Sequence, residues 1–134
     1  MITIQEDEDL RELARQIIAR REDVAHVELD HVLFFLDLAS TPKASARCYS
    51  FAEHPIKFFT RARFAIVVYD YRTDHFTPEQ MAILIYHELK HIPKRGTKLV
   101  DHNVKDFSEV LRIALDWAEP GAVVPDILKE DQIK

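Results

Sequence analysis

Hydrophobic residues recur with two different periods along this chain, and each period predicts its own kind of element. Residues 6–21, EDEDLRELARQIIARR, place Leu10, Leu13 and Ile17 on one face, with acids first and arginines last, which predicts an amphipathic helix. Short runs rich in aromatic and β-branched residues predict strands at residues 31–39, 46–51, 56–60 and 63–71, with the second and third either separate or one strand interrupted at Pro55. The last run, RFAIVVYDY, is continuously apolar at its centre, as is typical of a buried strand.

The second half of the chain predicts two helices. In TPEQMAILIYHELKHIP, Thr77 can cap the helix, Pro78 suits its first position and Gln80 can close a capping box. Pro93 predicts the end of this helix. Residues 103–118, NVKDFSEVLRIALDWA, predict a C-terminal helix that Pro120 and Gly121 break, and we expect residues 120–134 to form a tail. In the helix that begins near Thr77, apolar residues recur every three or four positions and are predicted to face the core: Met81, Ile85, Leu89 and Ile92.

Composition narrows the class of protein. A chain of 134 residues with 47% hydrophobic residues predicts one domain, residues 1–134, with a real core. The net charge of -5 and the absence of a basic stripe argue against a nucleic-acid partner. The acidic N-terminus and the lack of an apolar run of about 20 residues argue against export and against a membrane span. The lone Cys48 favours a reducing, cytoplasmic setting, and no feature indicates an oligomeric state.

The sequence His87-Glu88-Leu89-Lys90-His91 has the H-E-x-x-H spacing on a predicted helix. Residues four apart share a helix face, so His87 and His91 can chelate one metal ion together. Glu88 is rotated away from that face, close enough to reach a metal-bound water and poorly placed to bind the ion itself. This arrangement predicts a hydrolase with one Zn²⁺ per chain and with Glu88 as general base and then acid.

A catalytic zinc needs a third protein ligand, and the candidates follow the helix. His102 is the leading one, since the loop before it is long enough to fold back and Gly96 can supply its bend. Asp101, Asp106 and Glu109 are alternative oxygen ligands, Asp106 could instead orient the imidazole of His102, and a site without a third ligand stays open.

The motifs HELKHI and HNVKDF at this spacing, with T-x-E-Q before them, resemble the small phage metallopeptidases, a zincin-like family of phages and prophage-bearing bacteria. The resemblance extends over most of the chain. It implies zinc bound by His87, His91 and His102, with Glu88 as the catalytic acid. The family commonly has His-Asp where this chain has His102-Asn103, and glycine where it has Asp101.

The sequence therefore predicts an α+β, zincin-like fold: an N-terminal helix on a small, mostly antiparallel sheet, the H-E-x-x-H helix across it, and a C-terminal helix. The predicted function is zinc-dependent hydrolysis of a peptide bond in a protein or peptide substrate, which could pair with a sheet edge. The alternative is a zinc-stabilised binding or regulatory module of a phage or mobile element without turnover, although a purely structural site would not require Glu88. Hydrolysis of another amide or an ester is a third reading of the same motif.

Overall fold

The computed structural model describes residues 4–51, 61–96, 98–101, 117–119 and 122–128. Within these residues the protein is α+β, as predicted, and the elements follow one another in this order: β1 (Ile4–Glu6), α1 (Glu8–Arg20), β2 (Val32–Asp37), β3 (Ala46–Ser50), β4 (Phe64–Tyr69), α2 (Asp70–Thr73) and α3 (Pro78–Leu89). Two single-turn 3₁₀ helices, Glu22–Val24 and Leu29–His31, connect α1 to β2. Helices α1 and α3 pack against each other and against the sheet.

The four strands form one mixed sheet in the order β1-β2-β4-β3. The two outer pairings are antiparallel, whereas the central pairing of β2 with β4 is parallel and runs from Val32 opposite Phe64 to Asp37 opposite Tyr69. A mostly antiparallel sheet was predicted. The two outer pairings agree with this prediction, and the central parallel pairing makes the sheet mixed. In the part of the chain that is described, β3 lies at one edge of the sheet, and its residues line a cavity together with residues of α3.

Helix α1 begins two residues later than its sequence pattern indicated, because Glu6 belongs to β1. A three-residue strand is too short to produce a recognisable alternation, so β1 was not predicted. Asp7 caps the helix, its carboxylate accepting a hydrogen bond from the backbone N–H of Leu10 at 3.0 Å. Leu10 and Ile17 are buried as predicted, together with Ala14, whereas Leu13 is only half-buried.

Helix α3 has the predicted start, but it ends three residues before Ile92, earlier than Pro93 indicated. The Thr77 hydroxyl accepts from the backbone N–H of Gln80 at 3.1 Å, and the Gln80 side-chain oxygen accepts from the backbone N–H of Thr77 at 2.9 Å, so the capping box is complete. The helix ends at Leu89, four residues before Pro93. Ile85, Leu89 and the following Ile92 are buried as predicted, whereas Met81 is only half-buried.

Three of the four predicted strand segments lie in the described residues, and each is a strand with shorter bounds than predicted. Residues 31–39 reduce to β2 because His31 closes a 3₁₀ turn, and residues 63–71 reduce to β4 because Asp70 begins α2. Residues 56–60 and most of the predicted C-terminal helix lie outside the described residues. Trp117 and Ile127 belong to the core, so part of the expected tail packs on the protein. No helix among the described residues is long and apolar enough to cross a membrane.

Candidate metal centre

His87, Glu88 and His91 form one compact cluster at the end of α3. One ligand atom from each residue lies within 4.8 Å of the others. Nε2 of His87 is 3.6 Å from a carboxylate oxygen of Glu88, and the two imidazole centroids are 5.3 Å apart. Two nitrogens that share a zinc ion at about 2.0–2.1 Å each can be no more than about 4.2 Å apart. The donor atoms are therefore close to the separation that a single divalent ion requires.

His91 is held in one orientation by the segment that follows the helix. Its Nδ1 lies 2.7 Å from the carbonyl oxygen of Val100, and the backbone N–H of Val100 donates to the carbonyl of His91, also at 2.7 Å. Because a carbonyl oxygen only accepts, Nδ1 carries the proton and Nε2 carries the lone pair. This is the arrangement usual for metal-binding histidines, whose second ring nitrogen donates to a carbonyl or carboxylate.

The ring of His87 packs against Trp117. The ring centroids are 6.1 Å apart and the planes are inclined at 40°, and the ring of Phe76 lies edge-on to the same indole with a centroid distance of 6.2 Å. Gln80, fully buried one turn into α3, donates its side-chain N–H groups to the carbonyls of Trp117 at 3.0 Å and Glu119 at 2.9 Å. The sequence indicated Gln80 only as a capping residue. Its position on the His87 face of α3 was the single hint of this second role.

A second network fixes a neighbouring face of the same helical turn, rotated by about 100° from the histidine pair. The Tyr86 hydroxyl donates to a carboxylate oxygen of Asp23 at 2.5 Å, Lys90 donates to the same oxygen at 3.0 Å, and Arg21 donates to the Tyr86 hydroxyl at 3.0 Å. Burial raises the pKa of Asp23, but the hydrogen bonds from Tyr86 and Lys90 outweigh it, so the pKa lies below its ordinary value. Burial and the Asp23 carboxylate raise the pKa of Tyr86. Sequence reasoning missed this network because its members are far apart in the chain.

A cavity of about 430 Å³ opens between α3 and the edge strand β3, and the cluster lies in its wall. The side chain of Glu88 is 5% exposed and that of His87 is 13% exposed, so the carboxylate is largely removed from bulk water. Cys48 of β3 lines the same cavity, where burial and the nearby Glu88 carboxylate raise the pKa of its thiol. The sequence gave no sign that Cys48 lies beside the cluster.

The predicted site residues divide into two groups. His87, Glu88 and His91 come together, and Asp101, which is exposed, lines the same cavity. His102, Asp106 and Glu109 lie outside the described residues, so the third ligand stays a prediction. Gly96 has the positive φ of 75° expected for the bend that returns the chain toward the helix.

The chain matches the model of a known protein family. The sequence profile of the family described as "Putative phage metallopeptidase" matches residues 2–130, nearly the whole chain. No curated protein gives a significant match, and no solved structure does so either.

Proposed function

Because the chain belongs to the family of phage metallopeptidases, we propose that it is a zinc-dependent peptidase with a zincin-like fold that hydrolyses a peptide bond in a protein or peptide substrate. The observation that carries this proposal is the convergence of His87, Glu88 and His91 within 4.8 Å, in the wall of a cavity beside a strand edge. Neither the histidine pair nor the cavity alone would distinguish a peptidase from a surface metal site. The cluster and the cavity together supply ligands for a metal ion, a base and space for a substrate.

The donor set fits zinc. Imidazole nitrogens suit zinc well, and catalytic zinc sites commonly combine two or three histidines with an open position. His87 and His91 would hold the ion through Nε2, the nitrogen that lies nearest Glu88 in His87 and carries the lone pair in His91. The third ligand is His102 in this proposal, with Asp101 and Asp106 as the alternatives. Asp106 could also act by orienting the imidazole of His102.

When bound, the ion would supply Lewis-acid chemistry by polarising the scissile carbonyl and lowering the pKa of the attacking water. Glu88 then accepts a proton from that water at a carboxylate oxygen and passes it to the leaving nitrogen. Its burial suits this role, because a side chain that is 5% exposed meets the attacking water inside the cavity and not in bulk solvent. The rings of His87 and His91 remain fixed by Trp117 and Val100 while the proton moves.

The substrate backbone has a candidate track in β3. In the described part of the sheet β3 pairs with β4 alone, and its residues line the cavity that holds the cluster. An extended peptide could add to the outer side of this strand through main-chain hydrogen bonds, which would carry a scissile bond past Glu88.

Metal stoichiometry of the purified protein, measured by elemental mass spectrometry, tests the site. We expect about one zinc per chain in the wild type and loss of that zinc in His87→Ala, His91→Ala and His102→Ala. Retention of zinc in His102→Ala together with its loss in Asp101→Ala or Asp106→Ala would identify an acid as the third ligand. Absence of zinc from the wild type, even after zinc is supplied, would contradict the proposal.

Glu88→Gln separates catalysis from structure. The amide keeps the shape of the side chain but has no basic oxygen, so we expect normal zinc content and a loss of peptide hydrolysis of at least about a hundredfold. The assay is cleavage of a random peptide library by the zinc-loaded protein, read by mass spectrometry. A variant indistinguishable from the wild type in every such readout would favour a zinc-stabilised module without turnover.

A further inference from the structure

The cavity beside the cluster is closed mainly by uncharged groups. Leu84 lies one turn before His87 and Glu88 on α3, so the helical stripe that brings the reacting groups to the cavity also brings an apolar side chain. Leu99 and Trp117 add two large apolar surfaces. The space next to the Glu88 carboxylate is therefore bounded by hydrocarbon and indole.

Small side chains on β3 keep this space open. Ala46 and Cys48 pair with Val68 and Ile66, whose side chains are fully buried in the core. Cross-strand partners point to the same face of a sheet, so Ala46 and Cys48 face α3 across the cavity. A larger residue at either position would occupy part of the 430 Å³ that a ligand could fill.

The distribution of charged residues around the cavity also favours an apolar ligand group. The charged residues Arg47 and Asp101 are exposed, so they lie toward solvent, and Glu88 is the buried charge. A charged ligand group placed deep in the cavity would lose its hydration without gaining a hydrogen-bonding partner among these apolar side chains. An apolar group gains from the same burial.

Resting on the proposed peptidase function, we infer that this cavity is a subsite for one large apolar side chain of the substrate, aromatic or branched aliphatic, next to the bond that is cleaved. Ala46 and Cys48 set its depth and Leu84 forms its floor. The subsite selects substrates by side-chain size and lack of charge.

Binding of small chelating probes tests this inference without requiring turnover. The probes are three N-acyl amino-acid hydroxamates that differ only in the side chain, which is benzyl, methyl or carboxymethyl. Titration calorimetry with the zinc-loaded protein should show the benzyl probe binding at least about tenfold more tightly than the methyl probe. The carboxymethyl probe should bind more weakly than the methyl probe.

A variant that fills the cavity tests whether the preference for the benzyl probe arises there. In Ala46→Leu the advantage of the benzyl probe should disappear, while the methyl probe keeps its affinity within about twofold. Ala25→Leu makes the same change at an exposed site and should behave as the wild type. Far-UV circular dichroism and zinc content verify folding, and Cys48→Leu replaces Ala46→Leu if the latter does not fold.

The possible outcomes separate this inference from the proposed function. Equal affinity for the benzyl and methyl probes, or a benzyl advantage that persists in the filled variant, would overturn the subsite. A protein that binds no metal would contradict the proposed function. The apolar subsite is then tested by NMR titration of the metal-free protein with N-acetylphenylalaninamide and with N-acetylalaninamide. Shifts of the Leu84 methyl signals with the first compound alone would support an apolar subsite, and no shift would refute it.

Discussion

The buried side-chain amide of Gln80 donates a hydrogen bond to the carbonyl oxygen of Trp117 at 3.0 Å, and the indole of that residue packs against His87. Through one carboxamide, the start of α3 is therefore tied to the surface that supports a histidine two turns later. The same group closes the capping box with Thr77, so both of its functional ends are used.

Gln80→Glu should weaken metal binding more than its effect on the helix start can explain. The substitution keeps an oxygen for the capping box but turns a second oxygen toward the carbonyls of Trp117 and Glu119, which costs about 1–3 kcal/mol of stability. We expect zinc affinity, measured by competition with a chromophoric chelator, to fall by about tenfold. Thr77→Ala is the control, because it removes the cap and leaves the donors of Gln80 in place. A loss of zinc affinity in Gln80→Glu that is no larger than the loss in Thr77→Ala would show that the contact of Gln80 with Trp117 does not support the metal site.

Asp23 should make stability depend on pH in the acid range. Its pKa is lowered on folding, so its contribution is complete above the unfolded pKa near 4 and is lost as the pH falls through the lower folded pKa. Urea denaturation from pH 7 to pH 2.5 should show Asp23→Asn less stable than the wild type at neutral pH, with the difference shrinking below about pH 4. The exposed neighbour Glu22 supplies the control Glu22→Gln. A difference that stays constant down to pH 2.5 would rule out this linkage.

Gly96→Ala isolates a purely conformational cost. Gly96 has a φ of 75°, and a Cβ atom built there meets no other atom within 4 Å. Only the left-handed backbone is then penalised, so we expect a loss of about 1 kcal/mol in the free energy of unfolding. Gly96→Asn should cost less, because asparagine tolerates this conformation. If the alanine and asparagine variants were equally destabilised, the bend would not depend on the positive φ.

Cys48 should react slowly with thiol reagents in the folded protein. Burial and the Glu88 carboxylate raise its pKa, so less thiolate is present at a given pH than in the unfolded chain. At pH 8 we expect modification to be at least about tenfold slower in the native protein than in urea, and somewhat faster in Glu88→Gln than in the wild type. A native rate equal to the unfolded rate would contradict the burial of this thiol against the cluster.

The sequence was most informative where the determinants are local. Thr77 and Gln80 predicted the start of α3 because a capping box acts within a few residues, whereas the helix ends at Leu89, before the position that Pro93 indicated. The H-E-x-x-H cluster followed from the same helix geometry. Strand bounds were less accurate, since β-rich residues such as Tyr71 extend the apparent run beyond the last paired residue.

What could not be predicted depends on contacts between distant parts of the chain. The pairing of Asp23 with Tyr86 and Lys90 has no signature in a single sequence. The same applies to the contact of Gln80 with Trp117 and to the parallel pairing of β2 with β4, since a run of apolar residues does not identify its neighbour. The third metal ligand shares this limitation, because its position depends on how the chain returns after Gly96.

The central position of β4 has a consequence for how the protein folds. Its parallel ladder with β2 joins residues that are remote in the chain, with β3 formed from the segment between them. Closing such a loop is entropically costly and slows folding relative to local hairpins. The surface on which α3 packs is incomplete until β4 has entered the sheet. We therefore expect the histidine pair to acquire its native geometry late on the folding pathway, so that a partly folded chain would bind metal weakly and have little capacity for cleavage.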